Sequence, residues 1–412
     1  MTSEPRIQTE PRVRDDRVEF LMVIARALGT YGTSAHRLED ALTLCAQRLG
    51  LEASIFSTPT SVFLSIEEGD SSSTVLSRII PGDVQLAKLV KLDELIERVS
   101  AGVLTPTDGV VATKAVLNEP SPYPTWLEVL CFGVVSGNAC VFLGGGLREI
   151  GVASIIGWTI GVLIQLAGKN REFARLIEFA SGLLAAMIAY GAGPMLGPYN
   201  APIAVIAGLI ILLPGFTLTV SMSELATRNI VSGSARLIGS LMVLLIIGFG
   251  VAVGNQIATR LLPGFQPTET PPLPSWIVPL GAIVGASCFV VLFRARLRDL
   301  GMMIVAAGVA LYSARVGAYA LGDQIGIAVA AVCVGVVSNI YARISDRPAA
   351  IVTLPGLLIL VPGSVGFRSL AAFLNNDTLG GVQTAISVFF IAVSIVVGLL
   401  LANIIVQPRK AL

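Results

Sequence analysis

Charged residues are scarce in this sequence of 412 residues: 13% are charged and 54% are hydrophobic. A soluble globular protein carries about 25% charged residues. Most of this chain must therefore be solvated by a membrane. The charge that is present is acidic before residue 120, with 12 basic and 17 acidic side chains, and basic after it. A polar domain therefore precedes a membrane domain, and the net charge of +1 gives no reason to expect nucleic acid as a partner.

Metal-ligating and nucleophilic patterns are also lacking. The chain has one histidine, His36, and its five cysteines (Cys45, Cys131, Cys140, Cys288 and Cys333) show no metal-ligand spacing. We therefore expect free thiols, no metal and no cofactor. The lack of a Walker motif argues against direct driving by ATP. Residues 1–16 have no apolar core, which predicts a disordered tail and no signal peptide.

The polar domain, residues 17–120, is predicted to be a small α+β domain. Helical periodicity covers 18–28, 34–49, 84–100 and 106–117, with Thr105 as an N-cap before Pro106. Two strand-like runs flank Pro59, and a turn or loop follows at 67–73. His36 and Glu39 share one helix face, but no nucleophile or metal partner accompanies them, so we interpret them as part of a solvated face rather than a hydrolase site. The chain is accordingly not expected to be an enzyme.

Apolar stretches of spanning length follow one another from Trp126 to the end of the chain. They predict ten transmembrane helices, at 126–143, 150–167, 174–192, 201–222, 237–259, 276–293, 300–316, 322–340, 349–372 and 382–406. Twelve cations lie on the side of the termini: Lys169, Arg171, Arg175, Arg228, Arg236, Arg294, Arg296, Arg298, Arg343, Arg347, Arg409 and Lys410. Four lie on the other side: Arg148, Arg260, Arg315 and Arg368. The positive-inside rule then places both termini in the cytoplasm and the stretch Pro263–Pro274 outside.

The membrane domain contains the same unit twice. Residues 126–151 align without gaps on 276–301, and the octapeptides 208–215 and 356–363 match at six of eight positions. The identities include Trp126/Trp276, Arg148/Arg298, Pro214/Pro362 and Gly215/Gly363. Five spans is an odd number, so the second copy (275–406) must be inverted relative to the first (125–262). Inverted repeats are typical of alternating-access carriers. The alternative is a duplication that merely built a stable bundle.

Each copy carries a Pro-Gly pair inside its fourth span. Proline interrupts a membrane helix, and the freed backbone groups persist only inside protein or beside a wet cavity. The dipole ends of such a break can hold a carboxylate or an ammonium group. A simple kink with back-bonded hydroxyls is the competing interpretation. The predicted substrate-binding residues are Asn138, Pro214, Gly215, Thr217, Thr219, Ser221, Pro362, Gly363, Ser364 and Arg368.

Charge inside a membrane is costly and usually functional. Glu224 is the first candidate for a proton-coupling carboxylate, with Arg368 as its partner or as a ligand of the substrate, and Asp323 is the second. Glu178 is a weaker candidate of the same kind. Glu149 and Asp299 are expected to orient the arginines beside them, Arg148 and Arg298. Asn255 and Asn403 are expected to hold helices together.

The segments 29–39, 49–51 and 58–60 resemble the N-terminal signature of the threonine/serine exporter family with fused N-terminal and C-terminal halves. Leu213-Pro-Gly215 leading to Ser232-Gly233 and Arg236 resembles its first membrane half, and Val361-Pro-Gly363 its second. The resemblance implies ten spans, a cytoplasmic N-terminal domain and export of threonine and serine driven by the proton gradient. That family often carries Arg-Asp after the first Pro-Gly pair; Ser223-Glu224 keeps the acid and lacks the arginine.

The resulting hypothesis is a multi-pass transporter of the inner or plasma membrane whose partners are a small substrate, protons and lipid. Related two-protein systems make export of small dicarboxylates such as succinate the nearest alternative. A passive channel and a membrane-bound hydrolase using His36 and Glu39 are the others. The sequence leaves open the exact substrate, direction, proton stoichiometry, the role of the N-terminal domain and whether the chain forms a homo-oligomer.

Overall fold

The computed structural model describes residues 15–408 except 69–70, 169, 262–266, 269, 272 and 375–376. The predicted tail, apart from residues 15 and 16, lies outside the described residues, as do Lys169, Arg409 and Lys410. The chain divides into two compact units, 1–83 with 88–119 and 84–87 with 120–412. Each is described by itself.

The first unit combines helices with one small antiparallel sheet of strand order β1-β2-β3. Its elements are α1 (Asp16–Thr30), α2 (Ala35–Arg48), β1 (Glu52–Thr58), β2 (Ser61–Glu68), β3 (Ser71–Arg78), α3 (Leu86–Ser100) and α4 (Pro106–Asn118). The four predicted helices are confirmed, and the Thr105 side chain accepts a hydrogen bond from the Asp108 backbone as an N-cap.

One face of this sheet is buried, and the alternation of apolar and polar residues along β2 explains how its strands pair. Val62, Leu64 and Ile66 point into the core with Phe20 and Ile24 of α1. The prediction of a loop over 67–73 is wrong, because β3 begins at Ser71 and pairs along the full length of β2. The serines that open β3 carry no apolar alternation, so the strand forms through backbone pairing with β2 rather than through a buried face of its own.

The second unit is entirely helical in its described part, and its order of helices occurs twice. The first copy contains α5 (Thr125–Phe142), α6 (Leu147–Ala167), the short α7 (Arg171–Ala174), α8 (Ile177–Leu196), α9 (Ala201–Gly208), α10 (Gly215–Ala226) and α11 (Ile230–Leu261). The second contains α12 (Ile277–Leu292), α13 (Leu300–Leu321) preceded by a 3-10 turn, α14 (Asp323–Ser345), α15 (Ala350–Leu360), α16 (Gly363–Leu374) and α17 (Thr378–Ile405).

Equivalent helices make equivalent contacts in the two copies. In the first copy α6 packs on α9, α8 on α11 and α10 on α11; in the second α13 packs on α15, α14 on α17 and α16 on α17. The turn after the first helix also repeats, since Gly144 (φ 81°) and the aligned Arg294 (φ 49°) both adopt the left-handed conformation. Between the copies, α5 packs on α12. In addition α10 packs on α17, and the equivalent helices with the copies exchanged, α16 and α11, also pack on each other. The internal duplication is therefore visible in the structure as well as in the sequence.

Within the described residues, eight helical stretches are long and apolar enough to cross a membrane. These are Thr125–Phe142, Leu147–Ala167, Ile177–Leu196, Ile230–Leu261, Leu297–Leu321, Asp323–Ser345, Ala350–Ala372 and Thr378–Ile405. Ile277–Leu292 is apolar but shorter. The predicted span 201–222 is divided, because α9 ends at Gly208 and α10 begins at Gly215. Eight stretches, rather than the ten expected, thus qualify by length and composition.

Candidate substrate and coupling site

The two Pro-Gly pairs lie against each other. A Cβ atom added to Gly215 would lie 2.8 Å from the backbone nitrogen of Gly363, and one added to Gly363 would lie 3.1 Å from the Cα of Gly215. Only glycine permits this approach of two backbones. The two helix breaks therefore meet backbone to backbone.

Each break ends one helix and starts the next. Proline lacks the N–H that would continue the helix, so α15 ends at Leu360 and α16 starts at Gly363, directly after Pro362. In the first copy the turn residues 209–213 and Pro214 separate α9 from α10. The amino-terminal ends of α10 and α16 therefore meet at the Gly215–Gly363 contact. Such ends present N–H groups without intrahelical acceptors and a partial positive charge.

The predicted hydroxyl ligands fall into two groups. Thr219 donates to the carbonyl of Gly215 (3.1 Å) and Ser221 to that of Leu218 (2.7 Å), and both are buried. These two side chains therefore match the competing interpretation of back-bonded hydroxyls. Thr217 and Ser364 lie in the first turns of α10 and α16 and are partly buried. Their side-chain hydroxyls form no hydrogen bond with another described residue. They are the hydroxyls nearest the break that remain free to meet a ligand.

Glu224 lies near the end of α10 and is completely buried. Its carboxylate accepts hydrogen bonds from Ser232 Oγ (2.9 Å) and Arg236 Nε (3.1 Å), both on α11. The helices α10 and α11 approach closely at this point, because a Cβ atom added to Gly233 would lie 2.9 Å from the backbone nitrogen of Leu225. The predicted partner Arg368 is instead exposed, so pairing of Glu224 with Arg368 is wrong. The sequence predicts Arg236 only as a cation on the cytoplasmic side, although it belongs to the segment that resembles the family.

The other predicted charged and amide residues lie elsewhere. Asp323 is exposed at the start of α14, and Glu178 is partly buried in the first turn of α8. Asn138 sits where α5 crosses α12: its Oδ1 lies 2.6 Å from the position of a Cβ on Gly281, and its Nδ2 2.8 Å from that on Gly285. Asn138 thus fills a small-residue contact between the copies.

Glu149 and Asp299 do not orient the arginines beside them, which corrects the sequence-based expectation. Glu149 accepts hydrogen bonds from the backbone of Asn200 (2.6 Å) and Gly146 (3.0 Å) and from Thr270 Oγ1 (2.8 Å). Asp299 forms an ion pair with Arg347 (2.8 Å). In each copy the buried acid at the start of the second span therefore binds the segment just before the broken span, at Asn200 and at Arg347.

An ion pair between the copies was not anticipated. Glu128, buried near the start of α5, accepts from Arg294 Nε (3.1 Å) beyond the end of α12, and also from Gln165 (3.3 Å) and Ser121 (3.1 Å). The sequence predicts Arg294 in the loop after the span 276–293, and no sequence spacing connects it with Glu128. Asn403 holds helices together as expected, accepting from Asn339 Nδ2 (2.9 Å), whereas the Oδ1 of Asn255 has no partner among the described residues.

In the first unit His36 and Glu39 are not part of a solvated face, which corrects that interpretation. Glu39 accepts from the backbone N and the Oγ of Ser57 (2.7 and 3.0 Å) and so ties α2 to β1. The Nδ1 atom of His36 is buried and lacks a hydrogen-bond partner among the described residues. Burial, helped by the charge of Arg37, lowers the pKa of His36 to about 4. Groups of three or more metal-ligating side chains do not occur in the described chain.

Comparison with known proteins decides the family. Residues 19–258 match the threonine/serine exporter family, and residues 279–405 match a second description of it, "Threonine/Serine exporter". The chain belongs to this family. It is thus a multi-pass membrane protein of a transporter family, and the Pro-Gly pair of each copy falls inside a matched range.

Several fungal membrane proteins are similar in sequence to this chain. It is 26% identical over 395 residues to the pheromone-regulated membrane protein 10 of Debaryomyces hansenii, covering 90% of this chain and 37% of that protein. The protein of the same name from Candida albicans is 26% identical over 435 residues, covering 95% and 38%. The Saccharomyces cerevisiae protein is 23% identical over 380 residues, covering 90% and 48%. The chain therefore spans less than half the length of these relatives. No solved structure matches it.

Proposed function

We propose that this chain is a secondary active transporter that exports small amino acids, threonine and serine among them, driven by the proton gradient. The proposal includes ten spans, with α9–α10 and α15–α16 each counted as one, and the second copy inverted. Both termini are then cytoplasmic, and the membrane is the inner or plasma membrane. The observation that carries the proposal is the contact of the two helix breaks at Gly215 and Gly363.

The paired breaks suit a zwitterionic substrate. The amino-terminal ends of α10 and α16 offer N–H groups and positive dipole ends to a carboxylate. The last carbonyls of α15 lie on the other side of the second break, where they can accept from an ammonium group. At the first break the carbonyls of Ala207 and Gly208 already accept from Ile210 N and Ser136 Oγ. An α-amino acid carries both groups on one carbon atom. A dicarboxylate would leave the carbonyl end of α15 unmatched, which is why amino acids are the preferred substrates and dicarboxylates the alternative.

Small size and a hydroxyl also fit the site. Thr217 and Ser364 place hydroxyl groups in the first turns of the two helices that meet. Each can exchange a hydrogen bond with a hydroxyl on the substrate side chain. The close contact of the two glycines leaves no room there for a long side chain.

Glu224 and Arg236 are proposed to couple transport to protons. Glu224 closes the same short helix, α10, whose amino-terminal end forms the break. Protonation of the carboxylate would neutralise it and weaken its hold on Arg236 Nε and Ser232 Oγ. The α10–α11 contact would then loosen at one end, while the substrate occupies the other end of α10. A proton and a substrate can thereby bias one movable element.

Transport into proteoliposomes tests the proposal. Labelled threonine, serine and succinate are offered to the purified chain with and without an imposed proton gradient. We expect threonine and serine to accumulate only with the gradient, and succinate to be transported poorly. Gradient-dependent accumulation of succinate alone would establish the alternative substrate class. Fast, gradient-independent equilibration of all three compounds would indicate a channel and contradict the proposal.

A further inference from the structure

Arg315 is an exposed arginine in a helix that is long and apolar enough to cross a membrane. It lies in α13, within the apolar stretch Leu297–Leu321, and its side chain is exposed. It forms no hydrogen bond and no ion pair with any residue that the structure describes. Asp323, the acid nearest in sequence, is exposed and likewise has no ion pair within the described chain. An unpaired guanidinium on a lipid-facing surface is costly, so it needs an anionic partner from outside the protein.

The surroundings of Arg315 place it at the headgroup level of the bilayer. Tyr312, Val316 and Tyr319 share its surface with exposed fractions of 54%, 68% and 96%. Tyr312 and Tyr319 lie three residues before and four residues after Arg315, so all three side chains form one stripe on the helix. Tyrosine and tryptophan gather where hydrocarbon meets headgroups, and arginine side chains extend toward the same layer.

The internal duplication provides a second, independent argument for the depth of Arg315 in the bilayer. Arg315 is the counterpart of Gln165 in the first copy, at the offset that aligns Trp126 with Trp276. Gln165 donates to Glu128, two residues after Trp126, so this position lies beside the start of the first helix of its copy. In the second copy α12 packs on α13 as α5 packs on α6 in the first. By the same relation we infer that Arg315 lies beside Val278, two residues after the exposed Trp276.

The two copies differ at this position in charge. In the first copy the carboxylate of Glu128 satisfies Gln165 and Arg294. In the second copy valine replaces that glutamate at 278, while arginine replaces the glutamine at 315. The second copy therefore has a cation, Arg315, but no acidic residue at the position equivalent to Glu128. The exposed side of Arg315 is left for an anion from the lipid. A phosphate oxygen matches the fork of a guanidinium as well as a carboxylate does.

We propose that Arg315, with Tyr312, Tyr319 and Trp276, binds the headgroup of an anionic phospholipid in the leaflet where α12 begins and α13 ends. The guanidinium contacts the phosphate, and the tyrosine and tryptophan rings flank the glycerol and headgroup region. This site is separate from the Gly215–Gly363 break and does not depend on the transported substrate.

Native mass spectrometry of the purified full-length chain tests the site. The delipidated protein is titrated with phosphatidylglycerol and, separately, with phosphatidylcholine. Arg315→Gln introduces the residue of the first copy, and Arg260→Gln is the control, because Arg260 is an exposed arginine in the last turn of α11. We expect the first phosphatidylglycerol to bind the unmodified chain at least about five-fold more tightly than it binds Arg315→Gln. Arg260→Gln should behave like the unmodified chain.

Three results would overturn the proposal. Equal phosphatidylglycerol affinity in Arg315→Gln and the unmodified chain removes Arg315 from any lipid site. An equal loss in Arg260→Gln shows a general effect of positive charge rather than a site. Equal binding of phosphatidylcholine and phosphatidylglycerol by the unmodified chain rejects the anionic lipid class. Thermal unfolding of each variant, compared in the absence of lipid, shows that the fold is intact when the affinities are compared.

Discussion

At the scale of single residues, the most consequential contact is the buried ion pair of Glu224 and Arg236. Glu224, which is 0% exposed, forms an ion pair with Arg236 and accepts a hydrogen bond from Ser232 Oγ. Breaking such a pair on one side leaves a buried charge without compensation. Substitutions at either position therefore test what the pair contributes.

Glutamine at position 224 separates coupling from substrate movement. Glu224→Gln keeps the shape and most hydrogen bonds of the side chain but cannot be ionised. We expect gradient-driven accumulation to be lost while exchange of labelled for unlabelled substrate is partly retained. Both rates are measured in proteoliposomes. An equal loss of the two rates would make Glu224 a structural or substrate-binding residue, and unchanged driven transport would move the coupling role elsewhere.

A second substitution tests the pair energetically. Arg236→Met removes the cation that pairs with the buried Glu224 carboxylate, which we expect to cost about 3–5 kcal/mol of stability. The double variant Glu224→Gln/Arg236→Met removes both charges and should recover most of that loss. Thermal unfolding of the detergent-solubilised chain measures the difference. If the single and double variants unfold at the same temperature, the two side chains do not depend on each other.

His36 carries the other testable titration, in the first unit. Its folded pKa of about 4 lies below the ordinary value of about 6.5, because burial disfavours the imidazolium. The unfolded chain therefore takes up a proton below about pH 6.5 that the folded chain refuses until about pH 4. Folding stability is unaffected above this window and falls by about 2–3 kcal/mol as the pH decreases through it.

The single histidine makes this measurement direct. We expect the imidazole carbon resonance of the labelled chain to titrate with a midpoint near pH 4. Hydrogen exchange of α2 should accelerate, relative to its intrinsic rate, between pH 6.5 and 4, and His36→Gln should abolish that acceleration. A midpoint near 6.5 would show that the side chain is solvated.

At the scale of secondary-structure elements, the two broken spans meet through backbone. Gly215→Ala places a Cβ 2.8 Å from the Gly363 nitrogen, and that contact requires one backbone to move. Overpacking of this kind costs about 1–3 kcal/mol. We therefore expect the transport rate to fall roughly ten-fold or more, with a smaller loss for Gly363→Ala, whose nearest contact is 3.1 Å.

Gly239→Ala is the matched control for this prediction. Gly239 lies inside α11, and a Cβ there meets nothing within 4 Å. Its replacement should leave the labelled threonine flux unchanged. Normal flux in Gly215→Ala would show that the contact of the two breaks is not needed for transport.

Sequence reasoning found those elements whose signals are local. Pro214-Gly215 and Pro362-Gly363 predict the two helix breaks, because proline removes a backbone hydrogen-bond donor wherever it occurs. The register of β1 and β2 follows from alternation around Pro59. The strand β3 was missed because Ser71–Thr74 carries no alternating apolar face. The partners of Glu224 and Glu128 were missed for another reason: they lie 12 and 166 residues away and depend on how helices pack.

At the scale of the whole molecule, membrane orientation is the testable property. The cationic asymmetry of the loops predicts cytoplasmic termini and an external segment around Thr268. A cysteine at Thr268 should react with a membrane-impermeant maleimide in intact cells, and one at Ser345 should react only after permeabilisation. The parental chain provides the background, because four of its five cysteines are buried. The opposite labelling pattern would reverse the orientation.

The unequal ends of the α5–α12 contact have a consequence for the energetics of the transport cycle. One end is fastened by Glu128 and Arg294, whereas the aligned positions at the other end, Val278 and Gly144, have no charge. On the proposed transport cycle, two fully equivalent copies would give inward-open and outward-open forms that are related by a two-fold rotation and equal in free energy. The extra ion pair removes that degeneracy. The resting protein should then populate mainly the form in which the end of the α5–α12 contact that carries Glu128 is closed. Substrate must then enter first from the opposite side of the membrane, or wait until the Glu128–Arg294 ion pair opens.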